Sequence, residues 1–208
     1  MELNSAKSAC EKGEFALTKG ALGVKIIIAE ESKRKIMIYV NGACSFTGHR
    51  TIPPSHIGKL KVLLKRAINY AYERGCRRFY SGGAVGFDTL AARLVLEYRI
   101  THPDVKLVMY LPCTNQDKSW TARQRDAYEY VLKCADEVHY ISDLYKPGCM
   151  KKRNELLADT CDIMIGYVGR EGSGSAQTFR MAKKKGKEAY NLFSSVTEQD
   201  NNGLISIT

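Results

Sequence analysis

No stretch of this chain is apolar over the roughly 20 residues that a membrane-spanning helix needs. The run Ile26-Ile27-Ile28-Ala29 is also too short for a signal-peptide core, and no cleavage pattern follows it. No C-x-x-C pair occurs among the seven cysteines, and the count is odd. Both facts argue against a disulfide framework and a zinc ribbon. Cys44, Cys113 and Cys161 sit in or beside apolar runs and read as small core residues. A reducing, cytoplasmic setting follows. The four histidines show no ligand spacing, so no metal site is expected. No internal repeat and no low-complexity tract is present.

What is present is an excess of positive charge. Net charge is +10, with 32 Lys and Arg against 22 Asp and Glu. That balance favours anionic partners, nucleotides or nucleic acid among them, and it equally describes a solvated basic surface. Apolar residues make up 44% of 208, enough for one α/β domain with an extension.

From Met37 onward, strands and helices alternate. The expected strands are Ile36 to Val40 (extending toward Phe46), Arg78 to Tyr80, Val105 to Leu111, Glu137 to Ile141, Asp162 to Val168 and Glu188 to Phe193. Lys25 to Ala29 reads as one further short strand. Between them lie helical patterns, the first capped by Ser55 and stopped by Gly75. A later helix, about Ala122 to Cys134, is expected to turn Ala127, Tyr130, Val131 and Cys134 inward. Alternation of this kind predicts a mostly parallel sheet of about five to six strands covered on both faces, an α/β three-layer sandwich. Residues 1–35 read as an N-terminal extension, 36–193 as the folded domain and 194–208 as a loosely ordered tail.

Right-handed crossovers put the carboxyl ends of such strands on one edge, where ligands bind. Five segments follow strands and should line that rim: Thr47 to Arg50, Gly82 to Asp88, Pro112 to Trp120, Ser142 to Arg153 and Gly169 to Ser175. Ser81-Gly82-Gly83-Ala84-Val85-Gly86-Phe87-Asp88 joins a strand to a helix, the arrangement that cradles phosphate on backbone N–H groups. The bland reading is a βα turn that needs glycine for tight packing. It is not a full dinucleotide fingerprint. Ser81 replaces the first glycine, and Asp104 precedes a strand instead of ending one. Gly172, Gly174 and Ser175 form a second candidate anion nest. Neither loop carries the P-loop lysine.

Arg50 and Arg153 have the forked geometry for a phosphate or carboxylate, and Asn154 the amide to read a base or ribose. Asp88 is placed to hydrogen-bond a ribose hydroxyl or to cap its own helix. His49 beside Arg50 reads as a wall residue more than as an acid or base. Trp120 stacks on a base or plugs the core under its loop. The run Lys183-Lys184-Lys185-Gly186-Lys187 is accounted for by charge at a helix C-terminus.

These motifs, taken in order, resemble the YpsA-like family of the SLOG superfamily. The residues that carry the likeness are Ser45-Phe46-Thr47-Gly48-His49-Arg50, Ser81 to Asp88, Leu111-Pro112 with Gln116 and Trp120, and Arg153-Asn154. The likeness runs from about Met37 to Phe193. It implies a Rossmann-like sheet that binds a nucleotide or nucleotide-derived ligand, as sensor or regulator. It also implies that Gly82, Gly83, Gly86 and Asp88 form the main binding turn, faced by Arg153 and Asn154. The superfamily includes LOG phosphoribohydrolases, whose P-G-G-x-G-T-x-x-E loop ends in a needed glutamate. Here the corresponding loop runs from Gly172 to Arg180 without one. A nucleoside-monophosphate N-glycosidase is therefore an alternative, with Asp88 and Arg153 as its candidate catalytic pair. A third reading is single-stranded nucleic-acid binding, after the DprA members. The combined candidate ligand site is Thr47, Gly48, Arg50, Gly82, Gly83, Ala84, Gly86, Asp88, Trp120, Arg153, Asn154, Gly172, Gly174 and Ser175. No cofactor is called for, and homo-oligomerisation stays open.

Overall fold

A computed structural model describes residues 41–198, together with the strand backbones at 15–19, 24–29 and 35–39. The first three strands are β1 (Phe15–Lys19), β2 (Val24–Ala29) and β3 (Lys35–Tyr39), which form an antiparallel sheet in the order β1-β2-β3. Phe15 pairs with Ile28, and Lys25 with Tyr39. The short strand expected near Lys25 is therefore β2. The strand expected from Ile36 toward Phe46 divides in two. Asn41 has a φ of 53°, the left-handed region that Asn tolerates and β-branched residues do not. Beyond it the chain enters a different sheet.

That second sheet is wholly parallel and has six strands. They are β4 (Gly42–Gly48), β5 (Cys76–Ser81), β6 (Lys106–Leu111), β7 (Glu137–Tyr140), β8 (Ile163–Tyr167) and β9 (Glu188–Asn191), in spatial order β7-β6-β5-β4-β8-β9. The helices between and after them are α1 (Pro54–Glu73), α2 (Phe87–Arg99), α3 (Ala122–Cys134), α4 (Cys149–Thr160), α5 (Gly174–Lys184) and α6 (Leu192–Thr197). The result is a Rossmann-like α/β sandwich, as the alternation implied. From β4 the chain steps through β5, β6 and β7 in one direction, then jumps back to β8 on the other side of β4. Right-handed crossovers thus send α1, α2 and α3 to one face and α4 and α5 to the other.

Side-chain alternation on the strands builds both cores. On one face Phe46, Phe79, Leu107, Met109, Ile163, Ile165 and Tyr167 meet Leu60, Leu64, Ile68, Ala91 and Val95. On the other, Met164 packs with Ala158, Phe179 and Ala182, while Tyr80 and Val108 pack with Leu157. Strand β8 is buried at every position, which explains its unbroken apolar sequence.

Three local expectations give way. Ser55 does not cap α1. The helix starts at Pro54 with Pro53 in the cap position and no side-chain cap, because proline's fixed φ suits the first helical position. In α3, Tyr128 rather than Tyr130 is buried: its hydroxyl accepts from Gln116 Nε2 at 2.8 Å and its ring meets Trp120 edge-on, leaving Tyr130 exposed. The tail expected from Ser194 begins inside α6, whose Val196 is buried in the first core. The residues of the tail beyond 198, and residues 1–14 of the extension, lie outside the described residues.

Leu64 and Tyr130 make a clean pair for testing this packing. Leu64→Ala should cost about 2–5 kcal/mol, the range for an emptied core leucine site. Tyr130→Ser should stay within about 0.5 kcal/mol, as exposed positions do. Urea unfolding of both variants checks the order.

Candidate functional site

Where a parallel sheet reverses its strand order, adjacent loops leave in opposite directions and a crevice opens between them. Here the reversal lies between β4 and β8, and a cavity of about 520 Å³ sits at their carboxyl ends. Its walls come from four places. Thr47 and Gly48 end β4, His49 to Thr51 follow it, and Ala84 and Asp88 follow β5. Met150, Arg153, Asn154 and Leu157 belong to α4, and Arg170 and Ser173 to Ser175 lie at the start of α5.

Asp88, the second residue of α2, forms the floor with Arg153. Both are nearly inaccessible to solvent, and Arg153 Nη1 stands 3.8 Å from Asp88 Oδ2. Burial pushes the Asp88 carboxyl up to about 6. The Arg153 guanidinium, the Ala84 N–H, Arg50 and the Gly48 N–H pull the other way. Burial also lowers the Arg153 pKa, with Asp88 opposing. Arg153 Nη1 donates to the Gly82 carbonyl, and its Nε to Asn154 Oδ1 at 2.8 Å. The second bond turns the Asn154 amide nitrogen toward Gly174.

The turn itself is tied down on all sides. Ser81 Oγ accepts from the Gly83 N–H at 3.2 Å and donates to the Asp88 carbonyl at 3.0 Å. The Phe87 N–H reaches the His49 carbonyl at 3.1 Å. A Cβ on Gly82 would strike the Arg153 guanidinium, and one on Gly83 the Leu111 side chain at 2.6 Å. One on Gly86 would meet the Arg50 carbonyl oxygen at 2.2 Å. Gly83 and Gly86 also hold φ of 64° and 83°. Protein atoms fill the space these three glycines leave, so they build the wall from behind rather than line the cavity.

The opposite wall is more open. Ser173 caps α5, its Oγ accepting from the Ala176 N–H at 3.1 Å. Gly174 is exposed, and a Cβ there would meet only Asn154 Nδ2, at 3.8 Å. His49 bridges the walls. Its Nε2 accepts from the Gly169 N–H at 2.7 Å, and its Nδ1 faces Ser175 Oγ at 3.5 Å. Burial and Arg170 both lower its pKa, which keeps the accepting nitrogen bare. Arg50 and Arg170 stand exposed at the mouth, so the cleft runs from a cationic rim to a buried, nearly neutralised floor.

Of the expected site residues, Thr47, Gly48, Arg50, Ala84, Asp88, Arg153, Asn154, Gly174 and Ser175 converge on this cavity. Gly82, Gly83, Gly86, Trp120 and Gly172 do not line it. Trp120 packs on Tyr128 at a centroid distance of 5.2 Å, as a plug beneath its own loop. Met150, Arg170 and Ser173 lie in segments expected at the rim, whereas Leu157 and Thr51 were not anticipated. Met150 and Leu157 share one face of α4 with Arg153 and Asn154 through i, i+3 and i, i+7 spacing, a signal present in the sequence. Among the described residues no group of three or more His, Cys, Asp or Glu is arranged to hold a metal ion.

The family model described as the YspA SLOG family matches residues 53–201. A UPF0398 protein of Bacillus cereus strain G9842 is 29% identical over 134 residues, 63% of this chain and 73% of the relative. One from Bacillus thuringiensis strain Al Hakam is 29% identical over 131 residues, 62% of this chain and 71% of the relative. Among solved structures, DNA processing protein A from Helicobacter pylori, described as binding single-stranded DNA, superposes with a TM-score of 0.53 at 17% identity. That match covers 86% of this chain and 81% of that one. The Streptococcus pneumoniae protein of the same name gives 0.52 at 14%, covering 92% and 66%. At such identities these structures support the fold alone.

The raised Asp88 pKa sets a sign. Folding then binds a proton more tightly than the unfolded chain does, so the Asp88 contribution is largest below about pH 4. It is lost as pH rises through about 6. The stability of wild type relative to Asp88→Asn should fall across that window. Parallel urea titrations at stepped pH would show a flat difference if Asp88 titrated normally.

Proposed function

The chain belongs to the YspA SLOG family, and from that membership and the chemistry of the cleft we propose that it binds a nucleotide or nucleotide-derived ligand as a sensor or regulator. The observation that carries this reading is the segregation of the cleft. Its rim offers Arg50, Arg170 and the N-terminal end of α5 at Ser173 to Ser175, where an anion is favoured. Its floor offers Asp88, Arg153 and Asn154, which suit sugar hydroxyls. Met150, Ala84 and Leu157 supply apolar contact for a base. A volume of about 520 Å³ suits a mononucleotide-sized ligand. Phosphate goes to the rim and not to the glycine turn, because protein atoms back Gly82, Gly83 and Gly86 and none of the three lines the cavity.

Binding is favoured over N-glycosidic hydrolysis by one feature. Glycoside cleavage ordinarily uses two carboxyl groups about 5–10 Å apart, and Asp88 is the sole carboxyl among the lining residues described. Cytoplasmic placement goes with this reading: the six described cysteines carry free thiols, which a reducing compartment preserves. A second reading has its own support. The rim arginines, the +10 charge and the likeness to a protein described as binding single-stranded DNA fit a strand whose phosphate enters the same mouth.

Calorimetric titration with AMP, ADP-ribose and NAD tests the proposal. Micromolar binding is expected for at least one, with a loss of about tenfold or more in Arg170→Ala, the scale of one charge-assisted hydrogen bond. Gly174→Leu should abolish it while leaving the thermal midpoint unchanged, since that position has room for a side chain. Silence across the panel, together with steeply salt-dependent binding of an oligonucleotide, would transfer the site to the second reading.

A further inference from the structure

A second cavity, of about 630 Å³, is formed by α1, α2 and α3 and shares no lining residue with the cleft. Its base is apolar: Leu94 and Leu96 of α2 are buried and Leu90 is half-buried. Two large apolar groups in its wall stand open to solvent. Ile100, just past the end of α2, is 81% exposed, the most of any large hydrophobic among the described residues, and Tyr130 of α3 is 55% exposed. Open apolar groups gathered within a polar border mark a place where another molecule sits.

The charges of this groove are unbalanced. Lys61, Lys65, Arg93 and Arg99 line it, with Glu97 as the one carboxylate among its lining residues. Two of the four cations are already held. Lys65 Nζ meets Glu97 Oε1 at 2.6 Å, and Arg99 pairs with Asp136 and donates to the Cys134 carbonyl at 2.9 Å. Glu97 lies four residues beyond Arg93 on α2, the ordinary spacing of a helical ion pair, but Lys65 engages it from α1. Among the described residues neither Lys61 nor Arg93 has an anionic partner, and both are exposed. An arriving carboxylate therefore meets two cations without displacing an acid of the protein.

We propose that this groove docks an acidic, apolar peptide segment of a partner protein. Its carboxylates meet Lys61 and Arg93, and its aliphatic or aromatic side chains cover Leu90, Ile100 and Tyr130. Burial of the apolar groups supplies the affinity, and the two cations set the orientation and the choice of partner. A second copy of this chain fits less well, because a two-fold contact turns the same patch on itself and puts cation against cation. A nucleic-acid strand fits less well too. Such strands lie on successive aromatic rings, and here a single aromatic, Tyr130, accompanies aliphatic groups. Docking here does not depend on what the cleft binds.

Random dodecapeptides displayed on phage and selected on the immobilised full chain test this. The expected survivors combine Asp or Glu with Leu, Ile, Phe or Trp. A survivor made as a fluorescein-labelled peptide should lose about tenfold or more in affinity in Arg93→Glu and in Lys61→Glu, the scale of one charge-assisted contact. Ile100→Ser should weaken it as well. Arg66→Glu makes the same change of net charge at an exposed position outside the groove and should bind as wild type does. All four positions are exposed, so thermal midpoints should match that of wild type. Selection that returns no peptides, or peptides without acidic residues, overturns the proposal, as does binding that Arg93→Glu and Lys61→Glu leave unchanged. A wild type that sediments as a dimer split by Arg93→Glu, or a thymidine oligonucleotide that displaces the peptide, gives the groove to another occupant and overturns it too.

Discussion

A carboxylate buried in a glycine turn governs the architecture of the cleft. Asp88 faces the Arg153 guanidinium at 3.8 Å, and the backbone of Gly48 and Ala84, from two different strand ends, favours its charged form. Desolvating that charge is unfavourable, and the neighbouring donors offset only part of the cost, which is why the carboxyl stays raised to about 6. The glycines at 82, 83 and 86 are then a requirement of close packing, since the atoms they admit are Arg153, Leu111 and the Arg50 carbonyl. With the floor fixed this way, the electrostatic freedom of the site moves outward to Arg50, Arg170 and the head of α5.

Most of the architecture is legible in the sequence because the parallel sheet writes itself as unbroken apolar runs. Strands β6 and β8 and helix α3 fall close to where periodicity puts them. The rim is legible for a topological reason: every loop that follows a parallel strand must emerge at the same edge. Nine of the fourteen expected site residues reach one cavity on that logic alone.

What the sequence hides is local and physical. Ile36 to Phe46 is apolar on both sides of Asn41, and the Asn41-Gly42 pair signals a turn without saying that the chain passes there from an antiparallel to a parallel sheet. The facing of α3 turns on whether Tyr128 or Tyr130 finds a partner, and Gln116 supplies it from a loop twelve residues away. A glycine reports that a Cβ is not admitted, but not which atom takes the space. That ambiguity is why Gly82 reads equally as a seat for phosphate and as a seat for a guanidinium.

The two faces of the sheet are unequal. One carries α1, α2, α3 and α6 over the larger core, while the other carries only α4 and α5. Apart from the strand ends, the cleft is walled by that thinner layer. Apart from Asp88 of α2, the helical residues of the cleft wall therefore lie on the opposite face of the sheet from the larger core. Drift in Met150, Asn154 or Arg170 alters the cleft wall without disturbing the buried scaffold that keeps the chain folded.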